Sequence, residues 1–191
     1  MKLVFATGNQ NKAKEIQLLM PATIQILSLN DINCTEEIPE TQNTIEGNAS
    51  QKAHYVFENF GYNCFADDTG LEVEALDGRP GVLSARYAGE AKDANANMDK
   101  ILLELANSSN RKARFKTVIS LIIDGKELLF EGVVNGTIIE QKKGNSGFGY
   151  DPIFMPDGYQ HTFAEMSLDE KNKLSHRAIA VKKAIDYLSK L

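Results

Sequence analysis

The chain has 191 residues, 42% of them hydrophobic and 25% charged, which suits a folded globular protein and excludes a disordered one. A formal net charge of −5 argues against a nucleic-acid binder, which carries a basic face, but leaves room for a nucleotide enzyme, because one triphosphate needs only a few local cations. Cys34 and Cys64 form no CxxC, the three histidines show no zinc spacing, and no apolar run reaches membrane-spanning length, so neither zinc nor a membrane partner is expected, and a reducing, cytoplasmic setting is the default.

Lys2–Thr7 reads as a short buried strand ending in Gly8-Asn9. Residues Asn11 to Met20 follow with helical spacing, Ala13, Ile16, Leu19 and Met20 falling on one side. A second strand is expected at Thr23–Leu27, then a polar loop over 29–43. Thr44 is placed to N-cap a helix running to about Asn59, on which Asn48 and Lys52 share a face. Asn63–Ala66 and Leu71–Ala75 read as two strands joined by the turn Asp67-Asp68-Thr69-Gly70. A glycine-rich loop over 77–90, a helix at Ala94–Ala106 and two long strands, Ala113–Ile123 and Glu127–Thr137, come next; Asp124-Gly125 between the strands is a hairpin signal. A glycine-rich loop at Gly144–Asp151 and an amphipathic helix at Leu174–Leu191 complete the chain. Mixed strands and helices with one antiparallel hairpin predict an α/β fold with a mixed sheet.

Four constellations carry chemistry. Thr7-Gly8-Asn9-Gln10-Asn11-Lys12 lies between a strand and a helix, where backbone N–H groups and the positive helix end suit phosphate. A capped helix start with a solvated lysine is the plainer alternative, and no Walker A loop is present. Asp67-Asp68 places two carboxylates together, which is costly without a cation; Mg²⁺ would supply one, and a polar turn is the alternative. In Gly147-Phe148-Gly149-Tyr150-Asp151-Pro152 the proline rules out a dinucleotide-binding helix start, and an aromatic between two glycines suits stacking on a base or tucking into the core. Ser175 is a candidate N-cap, which puts His176 and Arg177 in a first helical turn, where cations oppose the helix dipole unless an anion is near.

Taken together and in order, these segments resemble the inosine triphosphate pyrophosphatase family. Its TGNxxK opening is Thr7 to Lys12; its acidic-then-helix segment runs from Glu40 through Glu46, Gly47 and Asn48 to Lys52; and its ADDSGL element is Ala66 to Leu71, with Thr69 for the usual serine. Its PGxxSARY element is Pro80 to Tyr87, its GFGYDPIF element is Gly147 to Phe154, and its KxxxSHR element is Lys171 with Ser175-His176-Arg177. Gly47 stands where the family commonly has glutamate.

The resemblance implies an elongated mixed sheet flanked by helices, with two lobes around a central cleft, usually in a homodimer. It implies Mg²⁺-dependent hydrolysis of ITP, dITP or XTP to the monophosphate and pyrophosphate, with Mn²⁺ able to use the same ligands. Thr7, Gly8, Asn9, Gln10, Asn11 and Lys12 would hold the triphosphate with Lys52 and Thr69. Asp68 would be the general base, and Asp68, Asp67 and Glu40 would organise the metal. Phe148, with Gly149 and Tyr150, would stack on the purine, and Asp151, Lys171, His176 and Arg177 would read its edge. A pyrophosphatase for modified pyrimidine nucleotides and a nucleotide sensor that does not hydrolyse are the rival readings; an intact Asp67-Asp68 pair weighs against the sensor.

Overall fold

The computed structural model describes residues 1–190. In chain order the elements are β1 (Lys2–Phe5), α1 (Gln10–Leu19), β2 (Gln25–Leu27), α2 (Ile45–Phe60), β3 (Cys64–Val73), β4 (Pro80–Gly81), α3 (Ala94–Glu104), β5 (Lys112–Ile123), β6 (Lys126–Ile138), β7 (Phe154–Pro156), α4 (Leu168–Leu174) and α5 (His176–Leu188). The strands order as β2-β1-β3-β5-β6-β7, with β4 paired to β3. β1 pairs in parallel with β2 and β3, whereas β4 and β7 pair antiparallel with β3 and β6, so the sheet is mixed as expected. The chain divides into two compact units, Met1–Asp68 with Thr117–Gly132 and Arg177–Leu191, and Thr69–Lys116 with Val133–His176.

The first unit builds its core on both faces of β1 and the start of β3. Val4, Ala6, Val56, Cys64 and Ile122 pack together under α2, while Leu3, Phe5, Ile16, Phe65, Leu121 and Val181 pack with α1 and α5. Phe5 and Phe65 stack with ring centres 4.5 Å apart, fixing the β1–β3 pairing. Thr44 caps α2 through the Gly47 N–H, and Gly61 ends it in the left-handed region at φ 70°, a conformation that favours glycine.

The second unit centres on Leu71, Val73, Met98, Ile101, Leu105, Phe115, Phe154 and Phe163. Asp93 caps α3 through the N–H groups of Asn95 and Ala96. The β5–β6 hairpin turns at Asp124-Gly125, both at positive φ, as a two-residue turn between twisted strands requires.

Two expectations are corrected and one unassigned segment gains a helix. The turn at Asp67–Gly70 does not form: β3 runs unbroken from Cys64 to Val73. The segment ahead of Ser175 is helical, and α4 starts at a capping box in which Ser167 and Glu170 satisfy each other's backbone N–H groups. The last helix therefore begins at His176 rather than Leu174.

Candidate active site

In the first unit the site grows from the end of β1, the start of α1, the face of α2 and the middle of β3. Because β3 continues through Asp67-Asp68, consecutive side chains leave on opposite faces. Both carboxylates are buried, Asp67 fully. Asp67 lies between two cations: Lys12 Nζ is 3.2 Å from Oδ1, and Arg177 Nε donates to Oδ2 at 3.1 Å. Asp68 takes a 3.4 Å hydrogen bond from the Asn48 side chain, and Lys52 Nζ is 4.0 Å from its Oδ1. Lys52 also donates to the Asp67 backbone carbonyl at 2.9 Å and pairs with Glu40, and Lys12 reaches the same carbonyl at 3.4 Å. Two lysines thus converge on one peptide oxygen between the two carboxylates.

Electrostatics follow from this arrangement. Burial opposes ionisation of Asp67, but Lys12, Arg177 and Lys52 outweigh it and hold its carboxyl well below the usual carboxylate range. Burial would likewise depress Lys52, yet Asp68, Glu40 and Asp67 keep its pKa above the ordinary lysine value. Lys12 goes the other way: burial lowers its pKa, and Asp67 offsets this only in part. Burial also disfavours the charged Arg177, but Asp67 and Glu15 reverse the effect and raise its pKa.

The Thr7–Lys12 segment differs from its expected form. Asn9 accepts from the N–H groups of Asn11 and Lys12, and Thr7 Oγ1 accepts from Asn9 N–H. These bonds take donors that were expected to face phosphate. What the segment presents outward is the exposed Gly8 and Asn9 and the first residues of α1, Gln10 and Asn11, ahead of Lys12.

Asp67 and Arg177 also sit differently from expectation. Asp67, expected at the metal, is instead held by cations. Arg177, expected at the base edge, sends Nε to Asp67 and Nη1 to Glu15, all three side chains being buried. Among the described residues no three His, Cys, Asp or Glu side chains converge as a metal cage. Asp68 and Glu40 flank the same Lys52 ammonium and are the carboxylates on this side that could contribute oxygens to a hard cation.

In the second unit the GFGYD segment folds over Asp151. Asp151 Oδ2 accepts from Phe148 N–H at 2.9 Å and from Lys171 Nζ at 2.6 Å. Gly147 has φ 75°, and a Cβ there would lie 2.1 Å from Asp151 Oδ2, so only glycine lets the loop close on this carboxylate. Lys171, on α4, lies 4.9 Å from the centre of the Phe148 ring. Phe148 and Gly149 are partly exposed; the buried Tyr150 donates its hydroxyl to the Ser84 carbonyl at 2.7 Å, with burial raising its pKa. The Ser84 hydroxyl in turn accepts from Leu71 N–H, which ties the Pro80–Tyr87 segment to β3. His176 is buried, stacked on Phe115 with ring centres 4.5 Å apart. Thr69 is partly exposed on β3, next in the chain to Asp68.

Comparison with known proteins decides the family. The model of the Ham1 family matches residues 3–187. The chain belongs to the Ham1 family. It is 60% identical over 187 residues to a dITP/XTP pyrophosphatase of Flavobacterium psychrophilum, covering 98% of each chain. To the dITP/XTP pyrophosphatase of Bacillus subtilis it is 47% identical over 192 residues, covering 98% of this chain and 95% of the other. Solved Ham1 structures share the fold: that from Staphylococcus aureus has a TM-score of 0.91 at 37% identity, covering 100% of this chain and 99% of the other. The HAM1 protein of Coxiella burnetii has a TM-score of 0.92 at 35% identity, with both chains fully covered. The α/β assignment is therefore that of the Ham1 fold.

Sequence reasoning missed Glu15. It stands three residues after Lys12, on the same helical face, beside the core residue Ile16. An acidic residue flanked by core positions was the available signal. Asn48 was placed on the face of Lys52, but its bond to Asp68 was not anticipated.

Proposed function

We propose that this Ham1 protein hydrolyses dITP, XTP and ITP to the nucleoside monophosphate and pyrophosphate, with Mg²⁺. That it is an enzyme acting on phosphoric anhydrides follows from relatives at 45–60% identity over essentially the whole chain, all named dITP/XTP pyrophosphatase. The observation that carries the finer reading is the pair of lysine ammonium groups, Lys12 and Lys52, drawn onto one peptide oxygen between Asp67 and Asp68. Such a cluster is costly to bury for structure alone, and it matches the charge of a polyphosphate with its metal.

In this reading Thr7 to Lys12 and Lys52 receive the triphosphate. Mg²⁺, when bound by Asp68, Glu40 and phosphate oxygens, offsets charge on the departing pyrophosphate. Asp68 accepts a proton from water as the water oxygen bonds to the α-phosphorus. The bond from that phosphorus to the bridging oxygen breaks, and pyrophosphate leaves. Asn48 orients Asp68 for this task. Phe148 stacks on the base, and Lys171, held by Asp151, donates to an acceptor on its edge, with His176 and Arg177 beside them in sequence. A site that needs an acceptor at position 6 leaves its donor unpaired against adenine, and discrimination of this kind reaches roughly 10⁴–10⁵. The reading extends to a cytoplasmic homodimer, as the family resemblance implies. The test is stoichiometric: one pyrophosphate per monophosphate from XTP and dITP, with ATP, GTP and dUTP as poor substrates. Binding without turnover would favour a sensor, and preference for dUTP a pyrimidine enzyme.

A further inference from the structure

The Asp67 carboxylate is the middle of a line of alternating charge confined to the first unit. Glu15 on α1 accepts from Arg177 Nη1; Arg177 Nε donates to Asp67 Oδ2; and Asp67 Oδ1 faces Lys12 Nζ at 3.2 Å. Glu15, Asp67 and Arg177 are each at least 95% buried. Lys12 and Glu15 lie three apart on α1, so one rigid helix supplies both ends of the line. The guanidinium is a planar fork, and anchoring one prong sets the direction of the others. With Nη1 fixed on Glu15, Arg177 meets Asp67 through Nε. The Asp67 carboxylate is then turned so that its other oxygen faces the lysine.

We infer that Glu15 is a positioning residue for the hydrolysis proposed above: by tethering Arg177 it sets the Asp67 carboxylate and, through it, the Lys12 ammonium that serves the triphosphate. The inference rests on that functional reading. Without Glu15, Arg177 is released to take both oxygens of Asp67 in the usual two-pronged geometry. Lys12 then loses its carboxylate partner and keeps only the longer contact to the Asp67 carbonyl, so its position is no longer fixed. Charge on the phosphates grows as the bond to pyrophosphate breaks, so a displaced Lys12 weakens transition-state stabilisation more than ground-state binding. A residue acting this way lowers kcat and leaves KM nearly alone.

The experiment compares wild type, Glu15→Gln, Glu15→Asp and a core control, Ile16→Val or Ile16→Ala, chosen to match the loss in melting temperature of the Gln variant. Each is assayed with XTP and Mg²⁺, with activity expressed per folded molecule from circular dichroism at the assay temperature. Glu15→Gln is expected to lose about 10- to 100-fold in kcat, the usual effect of removing an outer partner, with KM within about threefold of wild type. Glu15→Asp, which keeps the charge, should recover part of that loss, and the control should keep wild-type kcat. Wild-type kcat in Glu15→Gln, an equal loss in the control, or a change confined to KM would each overturn the inference. If Glu15→Gln does not fold, Glu15→Asp is compared with wild type directly; reduced kcat at unchanged KM supports the inference and unchanged kcat refutes it. A wild-type protein inactive on every triphosphate would sink the functional reading instead, so the two failures are distinguishable.

Discussion

Arg177→Met tests the electrostatic architecture of the first unit. The substitution preserves much of the side-chain length but removes the guanidinium that holds two buried carboxylates, Asp67 and Glu15. Removing one partner of a buried ion pair costs about 3–5 kcal/mol, because the remaining charge stays out of water. At roughly 2–4 °C per kcal/mol for a chain of this size, the melting temperature should fall by about 6–20 °C at neutral pH. The pH dependence has a definite sign. In wild type the Asp67 pKa is depressed, so its contribution to stability is complete above the unfolded value of about 3.9 and is lost as pH falls through the folded one. In the variant Asp67 keeps Lys12 but loses the guanidinium, so its folded pKa rises and protonation relieves part of the strain. The gap between wild type and variant should therefore narrow from pH 7.5 to pH 5. Thermal melts by circular dichroism at both values check this. A loss below about 1 kcal/mol, or a gap that widens on acidification, would refute the reasoning.

The remaining predictions concern the site more directly. Asp68→Asn should lower kcat by about 10²–10⁴-fold, the contribution of a positioned base, with little change in melting temperature; near-normal pyrophosphate release would remove Asp68 from that role. Lys171→Met should raise KM for XTP by about tenfold or more while kcat changes less, because it frees the Asp151 carboxylate and the Phe148 loop; steady-state kinetics would show the reverse if Lys171 acted only in the transition state. Gly147→Ala should cost about 1–3 kcal/mol, from a left-handed backbone and a Cβ driven into Asp151, read by urea denaturation. Chelation of divalent metal should abolish turnover and leave the fold intact, with Mg²⁺ or Mn²⁺ restoring activity.

What could be read from the sequence divides along a physical line. Local signals served well: Thr44 capped its helix, Asp124-Gly125 made its hairpin, and the long apolar runs of β5 and β6 became strands within a residue or two of expectation. Asp67–Gly70 failed because turn-forming residues were read without their partners. The cations that let Asp67 sit inside a strand are Lys12 and Arg177, 55 and 110 residues away, and no local window contains them. The same distance hid the Glu15–Arg177–Asp67 line, since each member looks ordinary in its own segment. The start of α4 was a different failure, because the Ser167–Glu170 capping box was present in the sequence and went unread. In the site, the segments of both clusters were legible from their patterns, and their roles only from the family resemblance. Their assignments shifted where the structure gave a donor or carboxylate an internal partner, as Asn9 does for the helix start and Lys12 for Asp67.

In the proposed function the buried Lys52, the half-buried Lys12 and a carboxylate pair grip a polyphosphate for attack at the α-phosphorus. Product analysis of XTP hydrolysed in ¹⁸O-labelled water tests it most directly. The account predicts label in the nucleoside monophosphate, unlabelled pyrophosphate in equal amount, and loss of both products in Asp68→Asn. Release of inorganic phosphate with label on the terminal phosphoryl group would contradict it.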